Sequence, residues 1–148
     1  MQRKASAIWR GNMQQGQGEI STDSGVLNNT PYSFAKRFGD TPGTNPEELI
    51  GAAHASCFAM ALSGALTAKG FTPDSLTVNA TVSLEKKGPD WTVTSSHLQL
   101  NAQVPGIDPN QFKAISEDAK NNCPISRLLD AEISLDARLE GPSSHVAH

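Results

Sequence analysis

The chain has 148 residues, enough for one domain with a real core. Its formal net charge of -3 argues against a nucleic-acid binder, because neutralising phosphates takes a basic face. No unbroken run of about 18 apolar residues offers a membrane span, and no apolar stretch follows Arg3 and Lys4 as a secretory signal would need. The composition therefore reads as a cytoplasmic protein that engages neither nucleic acid nor membrane.

In chain order, residues 4–9 predict a first strand carrying Ile8 and Trp9. Residues 10–31, rich in Gly, Asn, Gln and Ser, predict turns joining short strands or an irregular hairpin. Residues 32–38 predict another short strand, and 39–46 a loop. A helix then starts with Asn45 as N-cap, Pro46 in the first position and Glu48 completing a capping-box-like pattern. It runs to about Lys69 and stops at Gly70, a natural C′ residue. From Leu49 to Leu66 it carries no charged side chain unless His54 is protonated, and small residues crowd it. A helix apolar all round is expected to be buried on every side; at ~1.5 Å per residue it is ~30 Å long.

Residues 76–84 alternate as a strand, and Lys86 to Asp90 make a turn. Residues 91–104 predict a longer strand whose apolar phase switches between Val93 and Leu98, the mark of a bulge or bend. Asp108-Pro109-Asn110-Gln111 opens a second helix with the same cap grammar, ending near Asn121-Asn122. A last strand alternates through Ile133, Leu135, Ala137 and Leu139. The tail from Gly141 reads as loose, with His145 and His148 exposed. With no repeat and no interdomain linker, residues 1–148 are expected to form a single α+β domain, with mostly antiparallel sheets packed around long buried helices. One sheet face cannot cover an all-apolar helix from every side, so a second copy is expected to supply the missing cover.

Two cysteines carry the chemical interest. In a reducing compartment a cysteine pair is more often catalytic, redox-sensing or metal-binding than a structural staple, although a free cysteine also serves as a small packing residue. Cys57 lies in the middle of the buried helix. A reactive thiolate there needs a cation or donors, and a helix interior supplies neither, because the macrodipole acts at the ends. Arg37, on the segment leading into the helix, is the candidate partner; a solvated arginine is the plainer reading. Cys123 sits at a corner fixed by Pro124, and only the fold can bring together two thiols 66 positions apart. His54, three residues before Cys57, shares roughly its helical face. That invites a Cys-His pair for acyl transfer, with Asp40 or another acid as orienter, but no nucleophile turn or obvious oxyanion hole accompanies it, and His54 reads better as an interface or core histidine. A metal site from Cys57, His54 and Cys123 lacks the spacing of zinc ligands. A dimeric carrier of a hydrophobic ligand, with both cysteines as packing residues, is the non-enzymatic alternative.

The stretch Gly43-Thr44-Asn45-Pro46-Glu47-Glu48-Leu49-Ile50-Gly51-Ala52-Ala53-His54-Ala55-Ser56-Cys57-Phe58 resembles the signature of the osmotically inducible protein C / organic hydroperoxide resistance family. So does Asn122-Cys123-Pro124-Ile125-Ser126-Arg127, and Tyr32 to Phe38 fits the segment bearing the family arginine. The resemblance covers essentially the whole chain, and the Pro-Glu-Glu-Leu and Ala-His-Ala-Ser-Cys wording is closer to the osmotically inducible branch. It implies a thiol-dependent peroxidase that reduces organic hydroperoxides to alcohols, without a cofactor or metal but with an external thiol or dithiol as reductant. It implies that Cys57 is the peroxidatic residue and Cys123 the resolving one, that Arg37 and Glu47 organise the site, and that the protein is an intertwined homodimer with sites at the subunit interface. Arg37 would hold Cys57 as a thiolate, Glu47 would fix the guanidinium by a bidentate pair, and Phe34, Phe38 and Phe58 could shape a pocket for bulky alkyl hydroperoxides. Glu48 reads as a capping residue. Glu47 and Cys57 stand ten residues apart on one helix, ~15 Å along its axis, so Arg37 and Glu47 of one subunit are expected to serve Cys57 of the other.

Overall fold

The structure, a computed structural model, describes residues 1–141; the expectations for His145 and His148 lie outside them. The chain forms two compact units, one of Met1–Leu49 and one from Ile50 onward.

In the first unit, β1 (Ala5–Arg10), β2 (Gln17–Thr22) and β3 (Thr30–Tyr32) form an antiparallel sheet in that order. Trp9, Gly18 and Tyr32 stand in register across it. A Cβ at Gly18 would collide with both rings, so glycine is what lets Trp9 and Tyr32 approach to 5.4 Å between centroids. The expected strand over residues 32–38 is instead a short helix, α1 (Phe34–Phe38). The reason is local: Ser33 is an N-cap in extended conformation, and its hydroxyl accepts the Lys36 N–H at 3.3 Å, a capping bond that commits the next turn to helix.

The long helix α2 (Pro46–Ala68) starts and stops where the cap residues place it. Asn45 Oδ1 accepts the Glu48 N–H at 2.8 Å. The capping box is only half made, because the Glu48 carboxylate accepts from the Thr44 hydroxyl at 3.0 Å. At the other end Gly70 takes φ +90°, and the Gly70 and Phe71 amides donate back to the Thr67 and Leu66 carbonyls; this left-handed turn needs glycine.

In the second unit, β4 (Ser75–Lys87) pairs antiparallel with β5 (Asp90–Gln103), and β6 (Glu132–Leu139) lies on the other side of β5, parallel to it. The predicted phase switch is a bulge. Ser83 faces Ser95 while Leu84 faces Val93, so Thr94 is the extra residue. A parallel pair needs a crossover, and α3 (Pro109–Asn122) and α4 (Pro124–Leu128) supply it. The N-cap of α3 is Asp108, which accepts the Gln111 N–H at 3.1 Å. The single turn of α4 was not foreseen.

The core lies between α2, the inner face of β5 and α3. Phe58, Leu62 and Leu66 meet Leu98, Leu100, Ala102, Phe112 and Ala119 there. By length and mean hydropathy α2 would also suit a membrane span although its apolar run is interrupted, because scattered Ser, Thr and His barely lower a helix average. The expectation that α2 is buried on every side is corrected for the single chain. Gly51, His54, Phe58, Leu62 and Leu66 make a buried stripe, whereas Ala52, Ala53, Ser56, Met60 and Gly64 on the other side are exposed. One sheet covers one side of a helix.

Candidate active site

Cys57 and Cys123 arrive from different elements. Cys57 projects from the fourth turn of α2, beside the buried Phe58. Cys123 ends α3, donating its own N–H to the Ala119 carbonyl at 2.9 Å, and then caps α4, with Pro124 in the first helical position. Proline suits that position because the missing N–H would have no partner there. The two sulfurs stand 3.2 Å apart as free thiols. That exceeds the ~2.05 Å of a disulfide, yet it is a direct thiol–thiol contact. Cys57 is partly exposed and Cys123 wholly buried.

The pair is electrostatically unequal. Burial pushes the Cys57 thiol up, the Ile125 N–H pulls it down, and its contact with Cys123 raises it further. At Cys123 burial also raises the thiol, but the Ser126 N–H, the Cys57 contact, the Ile125 N–H and the Ser126 side chain outweigh it and bring it below its ordinary value. Each of these favours the charged sulfur by hydrogen bonding. In one chain alone, therefore, the surroundings favour a thiolate at Cys123 over one at Cys57, and Cys57 needs a cation to become the better thiolate.

His54, one turn before Cys57, is fully buried. Its Nδ1 lies 2.6 Å from the Ser96 hydroxyl on β5 and its Nε2 lies 2.7 Å from the Ser126 hydroxyl on α4. Burial lowers its pKa, so the ring is neutral. Both nitrogens are engaged by serines, which leaves neither free to activate Cys57 or to meet an orienting acid; His54 is a core histidine. The two serines were missed at the level of sequence. Ser96 was the legible one: it occupies an inward position in the run Ser96, Leu98, Leu100, Ala102, where a hydroxyl is out of place without a partner. Among the described residues no group of three or more His, Cys, Asp or Glu side chains could hold a metal ion.

Arg37 and Glu47 lie together in the first unit. Arg37 Nε donates to Glu47 Oε1 at 2.9 Å and Oε2 at 3.2 Å, and its Nη2 is 2.8 Å from Oε1. The carboxylate is almost buried while the guanidinium is 36% exposed and lies over the Phe38 ring, 5.1 Å from its centroid. Glu47 is in the first turn of α2, where the helix dipole favours an anion, so the pair is anchored from its acidic end. Glu48, beside it, accepts from the Thr44 hydroxyl through its side chain and donates its N–H to Asn45. Trp9, Met13, Tyr32, Phe34, Arg37 and Phe38 line a groove of about 470 Å³, so Phe34 and Phe38 are pocket residues. Phe58 is not: it is 0% exposed in the core of the second unit.

The family model for OsmC-like proteins matches residues 38–138. Peroxiredoxin OsmC of Escherichia coli K12 is 50% identical over 138 residues, covering 93% of this chain and 96% of the relative. The organic hydroperoxide resistance protein OhrB of Bacillus subtilis is 31% identical over 124 residues, 83% of this chain and 88% of its own. In three dimensions the chain is similar to the OsmC-like protein VCA0330 of Vibrio cholerae, with a TM-score of 0.74 at 19% identity over 93% of this chain and 99% of the other. It is also similar to the crystal structure of OhrB, with a TM-score of 0.64 at 24% identity over 93% and 98%. At these identities the structural likeness speaks for the fold.

Proposed function

The chain belongs to the OsmC-like protein family, on its osmotically inducible branch, and from that premise we propose how its own residues do the chemistry. It is a cysteine-based peroxidase that reduces organic hydroperoxides to alcohols at the expense of a thiol reductant. Cys57 is the peroxidatic residue. Its thiolate attacks the distal peroxide oxygen, the O–O bond breaks, an alcohol leaves after taking up a proton, and Cys57 becomes a sulfenic acid. Cys123 then attacks that sulfur, the S–O bond breaks, water leaves, and a Cys57–Cys123 disulfide remains. An external thiol or dithiol returns it to the reduced pair by exchange. The observation that carries this reading is the 3.2 Å separation of two free thiols drawn from positions 66 residues apart.

Arg37, held by Glu47, supplies the missing cation. Their pair is preformed, and the helical distance from Glu47 to Cys57, ~15 Å along the axis, favours a site in which one subunit's Arg37 and Glu47 serve the other's Cys57. The upward push on the Cys57 thiol in the single chain fits a site that is incomplete without a partner. The uncovered small-residue face of α2 fits the same homodimer. Both units then serve one peroxidase domain over residues 1–148, working in the cytoplasm without a bound cofactor, and the groove floored by Phe34 and Phe38 takes the alkyl part of the substrate.

The test is to mix the reduced protein with one equivalent of cumene hydroperoxide and count thiols. The wild type loses both, Cys57→Ser leaves the peroxide intact, and Cys123→Ser stops at a sulfenic or overoxidised Cys57. Unchanged thiols and peroxide in the wild type would overturn the reading in favour of a carrier. Subunit mixing tests the shared site. Arg37→Met and Cys57→Ser homodimers are each inactive, and their heterodimer regains one working site if Arg37 acts across the interface. It stays inactive if Arg37 acts within its own subunit.

A further inference from the structure

A buried imidazole with both nitrogens committed is absorbed neither by the peroxide chemistry nor by the Arg37–Glu47 pair. It joins Ser96 of β5 to Ser126 of α4, and the Ser126 side chain in turn acts on Cys123, the thiol that meets Cys57. The two imidazole hydrogen bonds are 2.6 and 2.7 Å long and the sulfurs are 3.2 Å apart, and Ser96, His54, Ser126 and Cys123 are all buried.

We propose that His54 is a positioning residue for Cys123: its Nε2–H holds the Ser126 hydroxyl so that this hydroxyl donates to Cys123 Sγ and keeps the resolving sulfur charged and aimed at Cys57. This deepens the two-cysteine reading and rests on it. The proton count closes with one arrangement. If Ser126 donates to sulfur, its oxygen must accept from Nε2–H. Nδ1 is then bare and accepts from the Ser96 hydroxyl, so every buried polar atom in this network has a partner. The neutral ring that burial enforces is the one this arrangement needs, since a cationic ring would leave Ser96 without an acceptor.

Ser126 is suited to the task because α4 fixes it one turn beyond Cys123. Its N–H and its side chain both favour the charged sulfur. Cys57 is the titratable group in contact with Cys123; Lys120, three residues earlier on α3, is tied to Glu117 at 2.9 Å. In the resolving step the Cys123 thiolate attacks the sulfenic sulfur of Cys57, the S–O bond breaks, and the departing hydroxide leaves as water with the proton that Cys123 gave up. The oxidant is the hydroperoxide already consumed. As the disulfide forms, the charge on Cys123 disappears and the Ser126 hydroxyl is released.

The experiment uses Ser126→Ala, which removes one hydroxyl, and His54→Gln, with folding checked by thermal melts. In rapid mixing with cumene hydroperoxide, sulfenic acid formation keeps its wild-type rate, while disulfide formation slows roughly tenfold, the loss of one hydrogen bond to an ionised group. In a Cys57→Ser background Cys123 is the remaining thiol, and the ultraviolet titration of its thiolate moves up by roughly one pH unit in each variant. That readout needs no peroxidase activity, so it separates failure of this proposal from failure of the two-cysteine reading. If Ser126→Ala is folded and neither the resolution rate nor the titration moves, the network is only structural and the proposal is overturned.

Discussion

The two faces of α2 are built from one sequence of apolar and small residues and do opposite things. On the inner face, Phe58, Leu62 and Leu66 are wholly buried against β5 and α3, and His54 joins them with two hydrogen bonds. On the outer face, Ala52, Ala53, Ser56 and Gly64 leave a shallow strip on which Met60 stands 80% exposed. Hydropathy does not separate the two faces; side-chain volume does. Large residues fill the space left by the sheet, whereas small ones let another backbone approach. Cys57 sits between the two, packed against Cys123 yet partly exposed.

The sharpest way to break that comparison is at the boundary residue. Cys57→Ser is expected to lower turnover of cumene hydroperoxide by more than about a thousandfold, as removal of a covalent nucleophile does, with the fold intact by circular dichroism. Inner-face truncation comes next. Leu62→Ala removes a fully buried side chain and is expected to cost about 2–5 kcal/mol in denaturant unfolding.

On the outer face, Met60→Lys is expected to change the subunit's own stability by no more than about 0.5 kcal/mol. It should nevertheless shift the sedimenting species from dimer to monomer and remove activity along with it. A dimer unaffected by the lysine would mean that this strip is not the interface.

The smallest effect belongs to pH. Burial holds His54 below its ordinary value of 6.5, so the folded ring stays neutral while the unfolded chain takes up a proton. The contribution of His54 to stability is therefore complete above 6.5 and is lost as pH falls below it. A melting temperature that declines on acidification, and declines less steeply in His54→Gln, is the expected pattern. Equal slopes in the two proteins would mean that His54 stays accessible to protons in the folded state.

The sequence carried most of the scaffold because the relevant signals are local. Asn45, Pro46 and Gly70 bound α2, Asp108 starts α3, and the phase change after Val93 marks the bulge at Thr94; each is a matter of a few neighbouring backbone dihedrals and one capping bond. The same kind of signal was misread over residues 32–38, where a hydroxyl at Ser33 outweighed an apolar alternation too short to define a strand.

What the sequence determined by itself was the presence of two thiols at a helix centre and a proline corner, and a family wording that identifies the chemistry. The tertiary structure decided the parallel placement of β6 beside β5, the sulfur-to-sulfur contact, and the serines that hold His54. These depend on residues 66, 42 and 72 positions apart, and no local propensity encodes a meeting at that separation. It follows from burying the inner face of α2, which fixes where each side chain along it must point.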